Sequence, residues 1–468
     1  MPYLLPLLIL AGCAVALQDW RRGVFAAIAV GLVQDPLRKM MPGTPGIFAM
    51  ASVPVWLTVI GNALLTRALR PGAFLARFPR MGRAIGLFAA YLALPAAISA
   101  SYGRNSWQIT MLGAVFYGSA LLAMGCGWRL GFDTRQVNRL LAFYAVFASV
   151  LLLGGILEYL GWNVTYAAIG TEALGHVWVT YRTGAAVHMI SGFFRGPDVM
   201  GWHAALVFMV GAVMAVRARG AMRIAWIAAA AWGALGVWLC GRRKMVAMLP
   251  VFFGVFLALL ARRGDVRRWA LTGGTLLLAF GLGWYVVTST VYSEAVEQFY
   301  VTAFTEAEEQ IRRHAVDSLW VTVQQAGFLG YGLGMGQQGV HHINAEMPRI
   351  WQESGPSKLF AELGVPGALL FLFVLLQTGL TAIHVVLRVR RAEVFLLGAG
   401  LLGILAANLL SALVSAQIFG DPLVAILLAL LAGILLAGAE EDPEAAAGAG
   451  AADPEKALTS EIEAGTPR

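Results

Sequence analysis

Three basic residues in a row, Arg242-Arg243-Lys244, stand at the junction of two long apolar stretches. Guanidinium groups present paired donors in a plane that matches phosphate oxygens, and an ammonium adds a compact point charge. The triplet is a candidate clamp for a phosphate-bearing ligand; the plainer alternative is snorkelling to lipid phosphates. Asp35-Pro-Leu-Arg38-Lys39 closes an earlier apolar stretch and offers either a second basic pair for the same anion or a helix stop with interfacial anchors. Arg195-Gly-Pro-Asp198 opens another, with His203 about one turn further on. There Asp198 either orients Arg195 or is an acid favoured at the positive end of a helix dipole. His203 reads as a supporting residue or a satisfied core histidine.

Groups able to move a proton lie further along. His341 and His342 fall in a polar stretch, where an imidazole titrates near neutrality. Glu353 precedes a long apolar run, and a carboxylate at a membrane mouth can serve as a base. Lys358 and Glu362 have the spacing of a helical i,i+4 pair. Gly334-Met-Gly-Gln-Gln-Gly339 matches the dinucleotide fingerprint by letter, but no strand precedes it and no βαβ unit surrounds it. No P-loop lysine motif is present, and the histidines have no thiol ligands nearby, so neither a nucleotide, a metal nor another cofactor is expected. Cys13, Cys126 and Cys240 fall in or at apolar helices and read as core packing.

The elements that must position these groups are membrane helices. The chain has 468 residues, 59% hydrophobic and 13% charged, with mean hydropathy +0.71. That composition marks a polytopic membrane protein. Apolar runs predict helices at about 2–18, 23–34, 47–66, 83–100, 107–126, 139–160, 199–217, 222–240, 244–261, 268–288, 359–387, 393–416 and 420–438. The second is short for a full span, so the expectation is an all-α bundle of 12–13 spans. Continuous rather than alternating hydrophobicity excludes a β-barrel. The first run lacks a basic start and a small-residue cleavage site and reads as a retained helix.

Arginines crowd alternate loops: Arg67 to Arg83, Arg129 to Arg139, Arg217 to Arg223, Arg262 to Arg268, and Arg388 to Arg391. The positive-inside rule places those loops in the cytoplasm of an inner-membrane protein and leaves 161–198 and 289–357 extracytoplasmic. Within the second, Ser293 to Gln325 reads as amphipathic helix. The net charge is +8, and its basic excess suits membrane lipids rather than nucleic acid. Residues 1–438 form one transmembrane domain, and 439–468 read as an acidic, disordered cytoplasmic tail.

Taken in order, these motifs resemble the O-antigen ligase and O-antigen polymerase-like membrane glycosyltransferases. The similarity covers roughly 195–385. Arg195-Gly-Pro-Asp198 is similar to the family's arginine entering a helix, and Gly241-Arg242-Arg243 to its Ser-Arg, with Arg243 on the family arginine. Gly330-Tyr-Gly-Leu-Gly334 resembles the glycine turn of its long loop, and Ala361-Glu-Leu-Gly364 its final helix. Counted back from Gly364, Glu353 stands where the family has histidine and Ser354 where it has asparagine. Either Glu353 replaces that base, or His341 or His342 reaches the site from the loop. The resemblance implies transfer from a polyprenyl-diphosphate-linked glycan to an acceptor glycan or lipid, alongside other polysaccharide-assembly proteins. Arg243, Arg195, Arg242, Arg38 and Lys244 would hold the diphosphate, with Asp198 and His203 in support. The competing classes are a secondary transporter or lipid-linked glycan flippase, with ionisable groups placed mid-membrane, and a non-catalytic scaffold. The helix interiors read as nearly free of charge, which weighs against transport.

Overall fold

In hydrocarbon every backbone N–H and C=O must be satisfied within its own segment, so apolar runs of about 20 residues become helices. The computed structural model describes residues 3–162, 168–175, 177–182, 185–264, 273–274, 277–278, 280–285, 300, 305–306, 308–309, 312–337, 340 and 354–441. The helices within them are α1 Leu4–Gln18, α2 Trp20–Lys39, α3 Ser52–Leu65, α4 Pro71–Arg77, α5 Pro79–Tyr91, α6 Ala93–Ala100, α7 Ser106–Gly131, α8 Thr134–Tyr159, α9 Pro197–Arg217, α10 Gly220–Leu239, α11 Arg243–Arg262, α12 Ser318–Ala326, α13 Gly355–Arg388, α14 Ala392–Val414, α15 Gln417–Gly420 and α16 Pro422–Leu436. The protein is an all-α polytopic bundle in which, among the described residues, 10 helices are long and apolar enough to cross a membrane. α1 is shorter, and α2, expected over 23–34, runs a full 20 residues with its charges at both ends. The span expected at 268–288 falls about half outside the described residues, as does much of the first part of the expected amphipathic helix over Ser293 to Gln325, whose last part is helical as α12. The loop between α8 and α9 carries one antiparallel hairpin, β1 Val179–Arg182 with β2 Ala185–His188, which the apolar pattern gave no sign of.

α9 is the axis of the bundle. Its apolar window is 94% buried, and it packs on α8, α10, α11 and α14. It is apolar on all sides, as a helix with no lipid-facing surface should be. α16, 83% buried, packs chiefly on α7. Helix starts follow local chemistry. Asp133 Oδ1 accepts from Arg135 N–H at 3.0 Å to open α8, and prolines sit in the first turns of α9, α13 and α16.

Two predicted helices are broken, and the breaks are joined. The run 83–100 divides at Leu92 into α5 and α6, and α13 breaks at Gly364, whose φ is 66°. Pro366 has no N–H for the Glu362 carbonyl one turn behind it. The loop after α12 supplies the substitutes: Tyr331 N–H donates to Ala361 O at 2.7 Å and Gly332 N–H to Glu362 O at 3.2 Å. Val365 N–H donates to Phe328 O at 2.8 Å, and Leu333 N–H reaches Pro95 O at 2.9 Å across to α6. Gly330, Gly332 and Gly334 lie against the backbones of α13, α6 and α7 respectively, where a Cβ would collide. The glycine run is thus a close-packed splice between broken helices rather than a turn around a nucleotide.

Candidate functional site

Charged groups gather at one end of the bundle, where α2 and α14 finish and α9, α11, α13 and α16 begin. The loop leading into α9 is fixed first. Lys39 Nζ donates to the carbonyls of Gly170 at 2.6 Å, Gly192 at 3.0 Å and Ala168 at 3.4 Å. Glu158 Oε2 accepts from Ser191 N–H at 2.9 Å and Gly192 N–H at 2.5 Å. An ammonium on the carbonyl side and a carboxylate on the N–H side thereby pin the turn that delivers Arg195.

Arg195 then meets two acids from distant parts of the chain. Its backbone N–H donates to Asp35 Oδ2 at 3.1 Å and its Nη1 to Asp35 Oδ1 at 3.4 Å, while Nη2 binds Asp421 Oδ2. Burial works against the Arg195 charge, but Asp421 and Asp35 outweigh it and hold its pKa above the ordinary arginine value. Asp198 does not orient Arg195. It pairs with Arg242 Nη2 at 2.8 Å and Lys244 Nζ at 2.6 Å, because α9 and α11 start side by side. Arg242 also lies over the Trp178 ring, 5.0 Å from its centre. Arg243 is the first residue of α11 and is half-buried.

Arg38 differs from its neighbours. It is only 8% exposed, its one ion partner among the described residues is Asp35 at 4.0 Å, and its Nε has no hydrogen-bond partner. Arg242 Nε is likewise buried and unpartnered. Buried charges are ordinarily paired and hydrogen-bonded, so these unfilled guanidinium donors are chemically able to take an anion. Counting Lys39, Arg243 and Lys244, the cations here outnumber Asp35, Asp198, Asp421 and Glu158.

A second polar group lies on the neighbouring face and was underestimated in the sequence. Lys358 and Glu362 are the expected i,i+4 pair, at 3.9 Å, but they are 1% and 0% exposed inside a spanning helix. The bundle interior is therefore not free of charge, because the break at Gly364 leaves room for polar partners. Glu362 accepts from Tyr117 O–H at 2.7 Å and Gly336 N–H at 2.9 Å, and Lys358 Nζ donates to Phe419 O above the Phe116 ring.

The two groups share one hinge piece. Every second residue from Ser415 to Asp421 is engaged by a different element. Ser415 Oγ accepts from Lys244 at 2.8 Å, and Gln417 Nε2 donates to Asp198 O at 3.2 Å. Phe419 O takes Lys358 and Asp421 takes Arg195. This α15 segment interrupts what would otherwise be one helix, as happens where backbone lines a polar site rather than lipid.

The structure thus gathers Arg38, Arg195, Arg242, Arg243, Lys244 and Asp198 at one end. His203 is a core histidine: it is 1% exposed, bonds Tyr144 O–H at 2.8 Å through Nδ1 and stacks on Phe194 at 4.9 Å. Phe194, on which it stacks, is the residue next to Arg195 in the chain. His341, His342 and Glu353 lie outside the described residues. Asp421 and Gln417 escaped notice, and Glu158 reads from the sequence only as a charge close to a helix end. Asp421-Pro422 reads as a plain helix start, and its contact with Arg195 spans 226 positions.

The fold and site define a multi-pass membrane protein with a cationic centre at the ends of its helices. No protein-family profile and no curated protein sequence matches the chain.

Proposed function

We propose that this protein is a membrane glycosyltransferase that takes a polyprenyl-diphosphate-linked glycan at the cationic end of the bundle and polymerises it or transfers it to an acceptor. The observation that supports this most is the buried, under-paired Arg38 guanidinium, whose ion partner among the described residues is Asp35 at 4.0 Å, at the end of the bundle that also carries Arg242 and Lys244. The arginine-rich opposite ends of α9, α11 and α13 support a cytoplasmic placement of that end and an extracytoplasmic, inner-membrane placement of the site.

In this reading an acceptor hydroxyl attacks the anomeric carbon of the donor sugar. The bond from that carbon to the diphosphate oxygen breaks, and its electron pair leaves with the lipid diphosphate. Arg38, Arg242 and Arg243 stabilise the charge that develops on the leaving oxygen. Arg195, already balanced by Asp35 and Asp421, fixes the site's shape. Glu353, or His341 or His342, accepts the hydroxyl proton. The lipid diphosphate is an activated donor, so no nucleotide is required.

The test is glycan profiling of a deletion strain complemented with wild type, Arg38→Ala or Glu353→Gln, with membrane levels of each protein measured. Accumulated single lipid-linked repeats with long polymer lost support polymerisation. Polymer stranded on its lipid carrier supports ligation. Unchanged glycan in both variants ends the catalytic reading. One observation favours a second reading, transport of the lipid-linked glycan: the buried Lys358–Glu362 pair beside a helix break is a common feature of transporters. Loss of flipping in vesicles made from Lys358→Met protein, with transfer intact, would select it.

A further inference from the structure

Among the unpartnered buried polar atoms, those of the charged end and of the neighbouring Lys358–Glu362 group are of two chemical kinds. Arg38 Nε and Arg242 Nε are donors. Gln417 Oε1 is an acceptor, and Gln337 leaves both Oε1 and Nε2 without a partner among the described residues while only 5% exposed. Gln337 directly follows Gly336, whose N–H binds Glu362 Oε1 at 2.9 Å. Glu362 faces Lys358, and Lys358 binds Phe419 O, two residues before the Asp421 that holds Arg195. The carboxamides and the guanidiniums are therefore tied to one chain of contacts that runs through α15, Gln417 reaching Asp198 O beside Arg242 and Arg38 joining through Asp35 and Arg195.

An ionised phosphate can satisfy the guanidinium donors, but it has no proton to give a glutamine oxygen. A hydroxyl both gives and accepts, so a carboxamide with both ends unfilled matches sugar hydroxyls. We propose that Gln337, assisted by Gln417, forms a hydroxyl-reading subsite that recognises the sugar next to the diphosphate. This rests on the reading of the site as one for a lipid-linked glycan and adds which residues distinguish glycan from bare lipid diphosphate. Gln337 is a specificity residue here; no bond is made or broken at it.

The experiment compares binding by the purified full chain in nanodiscs. The probes are polyprenyl-diphosphate-linked glycans extracted from the producing cells, the sugar-free polyprenyl diphosphate, and inorganic pyrophosphate. Wild type should bind the glycan-bearing lipid at least 10-fold more tightly than the sugar-free one. Gln337→Met, close in volume and without hydrogen-bonding capacity, should erase most of that preference and leave sugar-free lipid binding unchanged. Arg38→Ala should weaken both lipids together. Gln337→Glu keeps the shape and one acceptor and should retain an intermediate preference, which separates recognition from loss of folding. A Gln337→Met protein that keeps the full preference overturns the subsite, as does a wild type that binds both lipids equally. If wild type binds neither lipid nor pyrophosphate, the diphosphate reading itself fails, an outcome distinct from failure of the subsite alone.

Discussion

Asp421 divides one carboxylate between two helices. Its Oδ1 accepts the N–H groups of Leu423 at 2.9 Å and Val424 at 3.4 Å, opening α16, while its Oδ2 receives Arg195. The same 2%-exposed side chain therefore starts the last spanning helix and balances the charge that enters α9.

Asp421→Asn should keep much of the helix cap and leave Arg195 under-balanced. Removing one member of a buried pair typically costs about 3–5 kcal/mol, and losing a cap about 1 kcal/mol. Thermal unfolding in detergent should thus rank wild type above Asn and Asn above Asp421→Ala. An Asn variant as stable as wild type would show that Asp35 alone suffices for Arg195.

Arg38 and Arg195 should behave oppositely. Arg195→Ala leaves Asp35 and Asp421 facing each other and should destabilise by about 3–5 kcal/mol. Arg38→Ala removes a cation whose one ion partner among the described residues is Asp35 at 4.0 Å, so melting should hold or rise while glycan output falls by roughly 100-fold, as expected for a lost donor to developing charge. Comparable loss of stability in both variants would refute the division of labour between them.

The buried pair on α13 gives a coupling test. Lys358→Met and Glu362→Gln should each lower stability by about 3–5 kcal/mol, and the double variant by clearly less than their sum. Purely additive effects in a double-mutant cycle would mean that the 3.9 Å separation carries no coupling.

Glycines on α13 should divide sharply. Gly364→Ala would place a Cβ against the backbone of Phe328 and Leu329 at a φ of 66°, and membrane abundance should collapse. Gly379→Ala meets nothing within 4 Å and should be neutral or stabilise by up to about 1 kcal/mol. Quantifying both by immunoblot of membranes is enough, and equal abundance would exclude the proposed splice at Gly364.

The helices were readable because their apolar runs are long and uninterrupted, Arg242 and Lys244 because they belong to a run of three cations between two such stretches, and Arg195 because it opens a helix in Arg-Gly-Pro-Asp. What the sequence concealed has a common cause. Asp421 looks like a helix start and is one, whereas Asp35 looks like a helix stop and instead lies inside α2, which runs on to Lys39. Their further role depends on which helices become neighbours, and spacing along the chain carries no trace of that. Lys358 and Glu362 were visible as a pair but not as a buried one, since the break at Gly364 is created jointly with a loop more than 30 positions earlier.

The 226-residue separation between Arg195 and Asp421 also has a consequence for biogenesis. At about 5–20 residues per second of synthesis, roughly 10–50 s elapse between emergence of the arginine and of its second counter-ion. During that interval Asp35 is the one acid of the pair already made. A ribosome-released fragment ending before α15 would carry Arg195 half-neutralised, a mark by which membrane quality control could tell unfinished chains from complete ones.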